Sequence, residues 1–373
     1  MKQLATEEAA LVEQIDQADM LEMTTRWCKT NSGTGNLAGL AETAAMLADA
    51  FAALPGEVSL EEPARVTAIA ADGSEVERQH GRHLVLRVRP NAGRRILLTG
   101  HMDTVFPADD PFQDLAWIDD DTLNGPGAAD MKGGIAVILA ALKAFETSEA
   151  AAHIGYDVMI NSDEETGSLS SASLIRKLAR GKYAALTYEP SALPDGTFAH
   201  ARGGSGNYSL TFKGRSAHAG RNPESGRNAI VAASSMVVTL KALEHRDLTI
   251  NPAKIEGGSA NNVVPDHAVL HFNIRPKTRE AAERFEADLS ELVKATEKEL
   301  EVAISVHGGI TRPPKPVSEQ AQRLFDLVGN CCAELGQHYH WQSSGGVCDG
   351  NNIAACGIPV VDTMGVRGGK IHS

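Results

Sequence analysis

The chain has 373 residues, a length that accommodates two domains. Hydrophobic residues make up 42% and charged residues 22% of the sequence, a balance typical of a folded protein and not of a disordered one. Lys and Arg number 35 against 48 Asp and Glu, so the net charge is −13, and aromatic residues are only 5%. Nucleic-acid binding needs basic patches and stacking rings, so we expect no nucleic-acid partner.

The sequence contains no run of about 18 apolar residues, the length that a membrane-spanning helix needs, so no membrane association is expected. The N-terminal stretch carries acidic side chains where a signal peptide has its apolar core. The spacing of Leu4, Leu11, Ile15 and Met20 predicts one amphipathic helix there. The five cysteines show no Cys-x-x-Cys spacing, which argues against a cysteine zinc site and favours a reducing compartment. We therefore expect a cytoplasmic protein.

Residues 84–190 alternate apolar strands with helical stretches. Strands are predicted at 84–88, 95–99, 156–160 and 183–188, and helices at 135–145 and 169–178. This alternation is typical of an α/β fold with a parallel sheet. In such sheets ligands bind beyond the carboxyl ends of the strands, which is where we look for a functional site.

The pattern changes after residue 202. Strands are predicted at 208–213, 248–255, 262–275 and 302–306, and helices at 228–243 and 278–300. The resulting order βαββαβ is that of a ferredoxin-like module, and a stiff Pro-rich link at 311–316 follows it. A helix at 321–335 and a strand at 359–363 are expected to return to the first domain. We predict one domain formed by residues 1–200 and 312–373, with a smaller domain, residues 201–311, inserted in it.

Two of the predicted strands end in side chains that bind metal ions. The strand at 95–99 leads into His101 and Asp103, and residues two apart on a strand point the same way. Asp103 can therefore hold the His101 ring and set its tautomer, as carboxylates do behind metal-binding histidines. The strand at 183–188 delivers Glu189 at its tip. A surface His–Asp pair is the alternative for the first of these segments.

A glycine-rich loop, GPGAADMKGG at 125–134, precedes the predicted helix at 135–145. It resembles a dinucleotide-binding G-x-G-x-x-G loop, but Asp130 stands where the third glycine belongs and would repel a pyrophosphate. Close backbone approach around a buried carboxylate explains the glycines better, and a helix N-cap is the alternative role for Asp130.

Three adjacent carboxylates, Asp163, Glu164 and Glu165, follow the strand at 156–160. They repel one another unless cations neutralise them, although a solvated acidic loop is the alternative explanation. Taken together with His101, Asp130 and Glu189, they form a set of nitrogen and oxygen donors. Such a set suits zinc or a similar ion.

Seven segments then resemble, in the right order, the motifs of the M20 family of metallopeptidases. They are GHMDTV, GPGAADMKGG, DEETGS, TYEP, GRSAHAG, NNVVP and GGKIHS. The resemblance is strongest to the glutamate carboxypeptidases and acetylornithine deacetylases of that family. It implies an α/β, zinc-exopeptidase-like catalytic domain with an inserted ferredoxin-like lid that also forms a homodimer.

The resemblance implies that Asp130 bridges two zinc ions, for which Co²⁺ or Mn²⁺ can substitute. His101 and Glu189 would complete the protein ligands of one ion, and Glu165 and His372 those of the other. Members of the family continue beyond the position of His372 into a closing helix, so a tail beyond Ser373 is expected. A frayed end would weaken His372 as a ligand.

Further roles also come from the resemblance. Glu164 would be the general base, Asp103 would orient His101, and His218 would reach the partner subunit's active site to stabilise a tetrahedral oxyanion. A plain surface histidine is the alternative for His218.

The remaining site residues would meet the substrate. Asn262 and Arg275 would hold its carbonyl and carboxylate groups, and Gly345 and Gly346 would offer backbone groups to the carboxylate. Cys348 stands where relatives often have Ser or Thr. A nucleophile or ligand role has no ordered His–carboxylate partner in the sequence, so we expect Cys348 to have a packing role.

The predicted activity is hydrolysis of an amide bond in small peptides or N-acyl amino acids that carry a free carboxylate, as in glutamate carboxypeptidases. The alternative is an N-acyl amino acid deacylase of the acetylornithine deacetylase or succinyl-diaminopimelate desuccinylase type. A metal-free binding protein on the same fold is a remote third possibility. A serine hydrolase is disfavoured because the chain contains no G-x-S-x-G motif.

Overall fold

The computed structural model describes residues 4–372. The chain forms two compact units. The first consists of the residues up to Ala64, Gln79–Ala201 and the residues from Val317 onward; the second consists of Arg65–Arg78 and Arg202–Pro316.

The helices and strands are numbered here in chain order. The α-helices are α1 (Thr6–Val12), α2 (Gln17–Cys28), α3 (Leu37–Phe51), α4 (Gly133–Glu146), α5 (Ala172–Ala179), α6 (Ala229–Ala242), α7 (Arg279–Leu300), α8 (Glu319–Glu334) and α9 (Asp349–Ala354). The strands are β1 (Glu57–Glu61), β2 (Val66–Ile69), β3 (Glu75–Arg78), β4 (His83–Val88), β5 (Arg94–His101), β6 (Ala116–Asp119), β7 (Thr122–Asn124), β8 (Ile154–Asn161), β9 (Ala184–Thr187), β10 (Phe198–Arg202), β11 (Ser205–Lys213), β12 (Leu248–Gly257), β13 (His267–Pro276), β14 (Ala303–Arg312), β15 (Trp341–Ser344) and β16 (Val360–Asp362).

The first unit is built on a mixed sheet with the strand order β1-β4-β8-β5-β9-β16. Strands β8, β5, β9 and β16 run parallel, and β4 pairs antiparallel with both β8 and β1. Alternate residues of each strand face opposite sides of the sheet. Leu98 and Val158 pack toward α4 on one side, and Leu97 and Met159 pack toward α5 and α9 on the other. The predicted α/β class is confirmed, and the parallel strands place their carboxyl ends at one edge.

The N-terminal segment differs from its predicted structure. One amphipathic helix was expected, but the chain forms α1 and α2 with a break between them. The break has a local cause, because Oδ1 of Asp16 accepts a hydrogen bond from the backbone N–H of Ala18 (2.7 Å) and so caps the start of α2. Ile15 lies in the break and is 37% exposed, so it does not share a buried face with Leu11.

The second unit contains the antiparallel sheet β12-β13-β11-β14, with α6 and α7 packed on one face. Its element order is the predicted βαββαβ. The strand predicted at 262–275 begins only at His267, because Pro265 cannot donate to a strand ladder. Asn262 therefore lies in a loop and not in a strand.

A hairpin distant in sequence also belongs to the second unit. Strands β2 and β3 pair with each other within Arg65–Arg78. The carbonyl oxygen of Ala71 lies 3.0 Å from Nε2 of His267, and that of Thr67 lies 3.0 Å from Nε2 of His307. The sequence analysis assigned no element to this segment, because it is short and polar.

A buried ion pair offers a test of the first unit's packing. Lys182 donates a hydrogen bond to Asp157, and both side chains are almost fully buried. We expect Lys182→Met to destabilise the protein by about 3–5 kcal/mol, because Asp157 is left as an unpaired buried charge. The measurement is the unfolding midpoint in urea.

The matched control is the double variant Asp157→Val with Lys182→Met, which removes both charges. Its midpoint should lie much closer to that of the wild type, since apolar replacement of a buried pair is often nearly neutral. Equal losses in the single and double variants would contradict this account.

Candidate metal centre

The parallel strands of the first unit carry the candidate ligands to one edge of the sheet. His101 is the last residue of β5, and Glu189 comes two residues after β9. Glu164 and Glu165 lie in a single 3₁₀ turn that follows β8. Asp130 lies in the glycine loop that leads into α4.

The two oxygens of the Asp130 carboxylate face different partners. Oδ1 lies 3.0 Å from Nε2 of His101, which is also 3.6 Å from Oε2 of Glu189. Oδ2 lies 3.4 Å from Nε2 of His372, which is also 3.4 Å from Oε2 of Glu165. The carboxylate thus joins two groups of nitrogen and oxygen donors.

Ligand atoms of these side chains also lie within reach of a single ion. Those of His101, Asp130 and Glu165 lie within 4.8 Å of one another, and so do those of His101, Glu164 and Glu189. The donor chemistry fits zinc, which takes imidazole nitrogen and carboxylate oxygen. Glu164 belongs to the same cluster, so its carboxylate is close enough to meet a water molecule held there.

Asp103 organises the site from behind. Nδ1 of His101 lies 3.0 Å from the carbonyl oxygen of Asp103 and 3.4 Å from its Oδ1, so this nitrogen donates to Asp103 while Nε2 faces Asp130. The Asp103 carboxylate accepts hydrogen bonds from the backbone N–H groups of Glu164 (3.1 Å) and Glu165 (3.2 Å), and from the Thr34 hydroxyl (2.7 Å). One buried side chain therefore fixes both the histidine and the acidic turn.

The electrostatics of the cluster follow from the crowding of carboxylates. Burial opposes the charged form of His101, but Glu189, Asp103 and Asp130 outweigh this effect and hold its pKa well above the ordinary value. Hydrogen bonds to Asp130 and Glu165 raise the pKa of His372 to about 10. Burial raises the pKa of Glu165. These carboxylates thus attract positive charge, and the imidazoles provide it as protons when no metal ion is bound.

The glycine loop folds as its composition predicts. The peptide bond between Asp130 and Met131 is cis. A Cβ atom at Gly134 would come within 2.1 Å of the carbonyl oxygen of Tyr188, the residue before Glu189. Only glycine allows this approach, which brings the start of α4 against the tip of β9. Asp130 is not the N-cap of α4, because that position is occupied by Lys132.

Lys132 is a buried cation that the sequence analysis did not single out. Its ammonium group donates hydrogen bonds to the carbonyl oxygens of Trp27 and Thr30, each at 3.0 Å. Burial lowers its pKa to about 8. Its contacts tie the glycine loop to the end of α2.

His218 and Asn262 lie in adjacent loops of the second unit. His218 forms an isolated β-bridge with Val263, and the backbone N–H of Ala219 donates to the carbonyl oxygen of Asn262 (2.9 Å). Both residues are exposed. Arg275 is also exposed, on β13, where its Nε donates to Oδ1 of Asn273 (2.8 Å).

The Gly345–Gly346 segment is exposed and lies in the first unit between β15 and α9. Cys348 is 2% exposed, and its backbone N–H donates to Oδ1 of Asn351 (3.2 Å). This burial favours the packing role that the sequence analysis expected for the cysteine.

The structure also reveals a polar network that sequence reasoning missed. Asp349, at the start of α9, is 3% exposed and receives hydrogen bonds from Asn161 and Ser168. Asn161 and Ser168 flank the turn that carries Glu164 and Glu165. A polar residue at the end of an apolar strand was the available signal for Asn161. Nothing in the sequence pattern links either residue to Asp349.

Comparison with known proteins places this site in a family. Residues 200–301 match the description "Peptidase dimerisation domain", and residues 83–188 match "Peptidase family M28". Carboxypeptidase G2 of Pseudomonas sp. (strain RS-16) is 30% identical over 303 residues, which cover 79% of this chain and 71% of that protein. The chain belongs to the M20 family of metallopeptidases.

One further relative supports the assignment to the M20 family, and one solved structure shares the fold. A succinyl-diaminopimelate desuccinylase of Magnetococcus marinus is 25% identical over 75% of this chain and 77% of its own length. The crystal structure of a tripeptidase from Staphylococcus aureus superposes with a TM-score of 0.71, over 96% of this chain and 92% of that one, at 24% identity. This superposition shows the shared fold.

Membership makes this chain a metal-dependent hydrolase, as the sequence analysis predicted. It also confirms the predicted fold, a catalytic domain with a peptidase dimerisation domain. Within residues 4–372, no helix is long and apolar enough to cross a membrane. The individual site residues, their roles and the number of metal ions stay predictions.

The raised pKa values of His101 and His372 predict that metal binding releases protons. The raised pKa values favour the protonated form of both imidazoles in the metal-free protein, and each ring must become neutral to bind an ion. We expect release of about two protons per chain and an apparent affinity for Zn²⁺ that falls as the pH falls. Titration calorimetry in buffers of different ionisation enthalpy measures this number. His372→Gln should release about one proton fewer, and a binding enthalpy that does not depend on the buffer would contradict the assignment.

Proposed function

We propose that this protein is a two-zinc hydrolase that cleaves an amide bond in small peptides or N-acyl amino acids bearing a free carboxylate. The observation that carries the proposal is the Asp130 carboxylate, whose two oxygens face separate His and Glu pairs. His101 and Glu189 would hold one ion, and Glu165 and His372 the other. Co²⁺ or Mn²⁺ would serve as substitutes, since they accept the same donors.

Glu164 is the proposed general base. Bound zinc would polarise the substrate carbonyl and make a water molecule more acidic. Glu164 would take the proton from that water as its oxygen attacks the amide carbon. It would then give the proton to the nitrogen of the departing amine, which leaves poorly as an anion. Asp103 supports this role because it holds the backbone N–H groups of the acidic turn.

His218 is the proposed donor to the oxygen that gains negative charge. The backbone N–H of Gly220 donates to Nδ1 of His218 (3.1 Å), so the neutral ring carries its proton on Nε2. That N–H group points to no partner within its own loop and suits an oxyanion. Asn262 and Arg275 are proposed to hold the substrate's carbonyl and carboxylate groups, together with Gly345 and Gly346.

We further propose that the protein is a homodimer formed through the second unit. The match to the peptidase dimerisation domain, residues 200–301, covers most of that unit's longer segment. Strand β12 lies at the edge of the sheet, and α6 exposes Val231 (54%) and Val238 (71%). An edge strand beside exposed apolar side chains favours association with a second copy. In this dimer, His218 of one subunit would serve the active site of the other.

A carboxypeptidase-like activity is favoured by the similarity to carboxypeptidase G2. The second candidate is an N-acyl amino acid deacylase, which the similarity to succinyl-diaminopimelate desuccinylases favours. Both reactions need the same metal centre, and the substrate pocket decides between them. The proposed setting is the cytoplasm.

The deciding experiment is a hydrolysis panel monitored by mass spectrometry, with zinc-loaded and chelator-treated protein. The panel contains N-acetyl, N-succinyl and N-benzoyl amino acids, dipeptides and peptides ending in glutamate. We expect cleavage that the chelator abolishes. Preference for peptides ending in glutamate would support the carboxypeptidase, and preference for an N-acyl amino acid the deacylase. No cleavage of any member by metal-loaded protein would count against the proposed substrate class.

Glu164→Gln tests the general base on the preferred substrate. The amide cannot accept the proton, so we expect turnover to fall by about 10²–10⁴-fold while the metal content stays unchanged. Metal content is measured by atomic emission on the same sample. A variant that keeps most of its kcat would remove Glu164 from this role.

Mixing two inactive variants tests the action of His218 across the dimer. In a mixed dimer of Glu164→Gln and His218→Ala subunits, one site combines an intact Glu164 with the partner subunit's His218. Random exchange should therefore restore about a quarter of the wild-type activity. If His218 serves its own subunit, no site of the mixed dimer is complete and no activity returns.

A further inference from the structure

We infer that Asp349 is a positioning residue for Glu164, acting through the two side chains that flank the acidic turn. This inference rests on the proposed role of Glu164 as general base. Asp349 lies at the start of α9, far along the chain from the turn, and its carboxylate is buried. It does not touch the substrate in this scheme, and it acts only through Asn161 and Ser168.

The contacts of Asp349 bracket the turn. Nδ2 of Asn161, the last residue of β8, donates to Oδ2 of Asp349 (2.6 Å). The hydroxyl of Ser168 donates to Oδ1 of the same carboxylate (2.5 Å). Asn161 precedes the turn and Ser168 follows it, so the Asp349 carboxylate holds both ends of the turn. Hydrogen bonds to a buried carboxylate are the strong kind, because the acceptor is charged.

The conformation of the turn explains why it needs this support. Gly167 and Ser168 both have positive φ angles, 100° and 55°. The left-handed region is unfavourable for serine, and surrounding contacts must compensate for it. The bond from the Ser168 hydroxyl to Asp349 is such a contact. Without it, the end of the turn gains access to other backbone conformations.

Other hydrogen bonds hold other parts of the turn. The Asp103 carboxylate accepts hydrogen bonds from the backbone N–H groups of Glu164 and Glu165. Asp163 accepts those of Ser170 (2.6 Å) and Ser171 (3.3 Å), which tie the following residues together locally. Asp349 is the group that connects both flanks of the turn to α9. A general base held this closely contributes through orientation, where a displacement of about 1 Å costs about 100-fold in rate.

The first test compares kcat, KM and amide exchange in the Asp349→Ala variant. We expect kcat to fall by about 10–100-fold with little change in KM and in metal content, since substrate and metal ligands keep their places. In the metal-free protein, hydrogen exchange over residues 161–171 should become faster. Asp157→Asn is the control for general destabilisation, because that buried carboxylate pairs with Lys182 elsewhere. It should lower the melting temperature and leave kcat unchanged.

A donor–acceptor exchange guards against a variant that merely misfolds. Asn161→Asp alone places two carboxylates face to face and should lose most activity. Adding Asp349→Asn supplies an amide donor to the new carboxylate and restores the pair in reverse. We expect the double variant to recover at least about 10-fold in kcat over Asn161→Asp, because the hydrogen bond between the two positions is made again.

The outcomes separate this inference from the function on which it rests. If wild-type protein shows no chelator-sensitive hydrolysis, the proposed function fails, and if Glu164→Gln keeps its turnover, the proposed general base fails. If both of those results hold but Asp349→Ala keeps its kcat, the positioning role is overturned. A loss that appears only in KM, only in metal content or equally in the Asp157→Asn control would overturn it as well.

Discussion

Repulsion among the carboxylates of Asp130, Glu165 and Glu189 is the constraint on which the rest of the structure depends. Their ligand atoms share one edge of the sheet and are largely withdrawn from water, which would otherwise screen them. A fold that gathers negative charge in this way is stable only if positive charge joins it. Protonated His101 and His372 supply positive charge in the metal-free protein, and divalent metal ions would supply more of it. The negative charge of this cluster therefore favours the binding of cations.

Two layers of contacts hold this charge in place. Asp103 contacts the His101 ring and accepts hydrogen bonds from the backbone N–H groups of the acidic turn, so one side chain fixes the proposed metal ligand relative to the proposed general base. On the other side of the turn, the Asp349 carboxylate accepts hydrogen bonds from the side chains of Asn161 and Ser168. The strands supply the coarse positions, because the parallel ones end at a common edge. The polar contacts then supply the finer orientation that hydrolysis demands.

Sequence reasoning predicted the parts of this fold that depend on local pattern. The apolar runs of β4, β5 and β8 and the periodicity of α7 are strong signals, and the structure has those elements close to their predicted positions. It failed where a single polar contact decides, as at Asp16, whose cap divides the N-terminal helix. The candidate ligands could be proposed from the sequence because such sheets bind ligands at strand ends, and the structure brings these side chains together. The partnership of Asn161 with Asp349 was not found, because residues 188 positions apart carry no pattern that relates them.

The hairpin Arg65–Arg78 has a consequence for how this protein can be divided into fragments. The dimerisation-domain match spans residues 200–301, a single stretch that holds most of the longer segment of the second unit. The unit itself is discontinuous, and a fragment of Arg202–Pro316 would lack the carbonyl groups that meet His267 and His307. Strands β13 and β14 of such a fragment would lose the side-chain contacts that the hairpin provides. The inserted unit is thus not a freely portable module, because the host sequence contributes a piece of it.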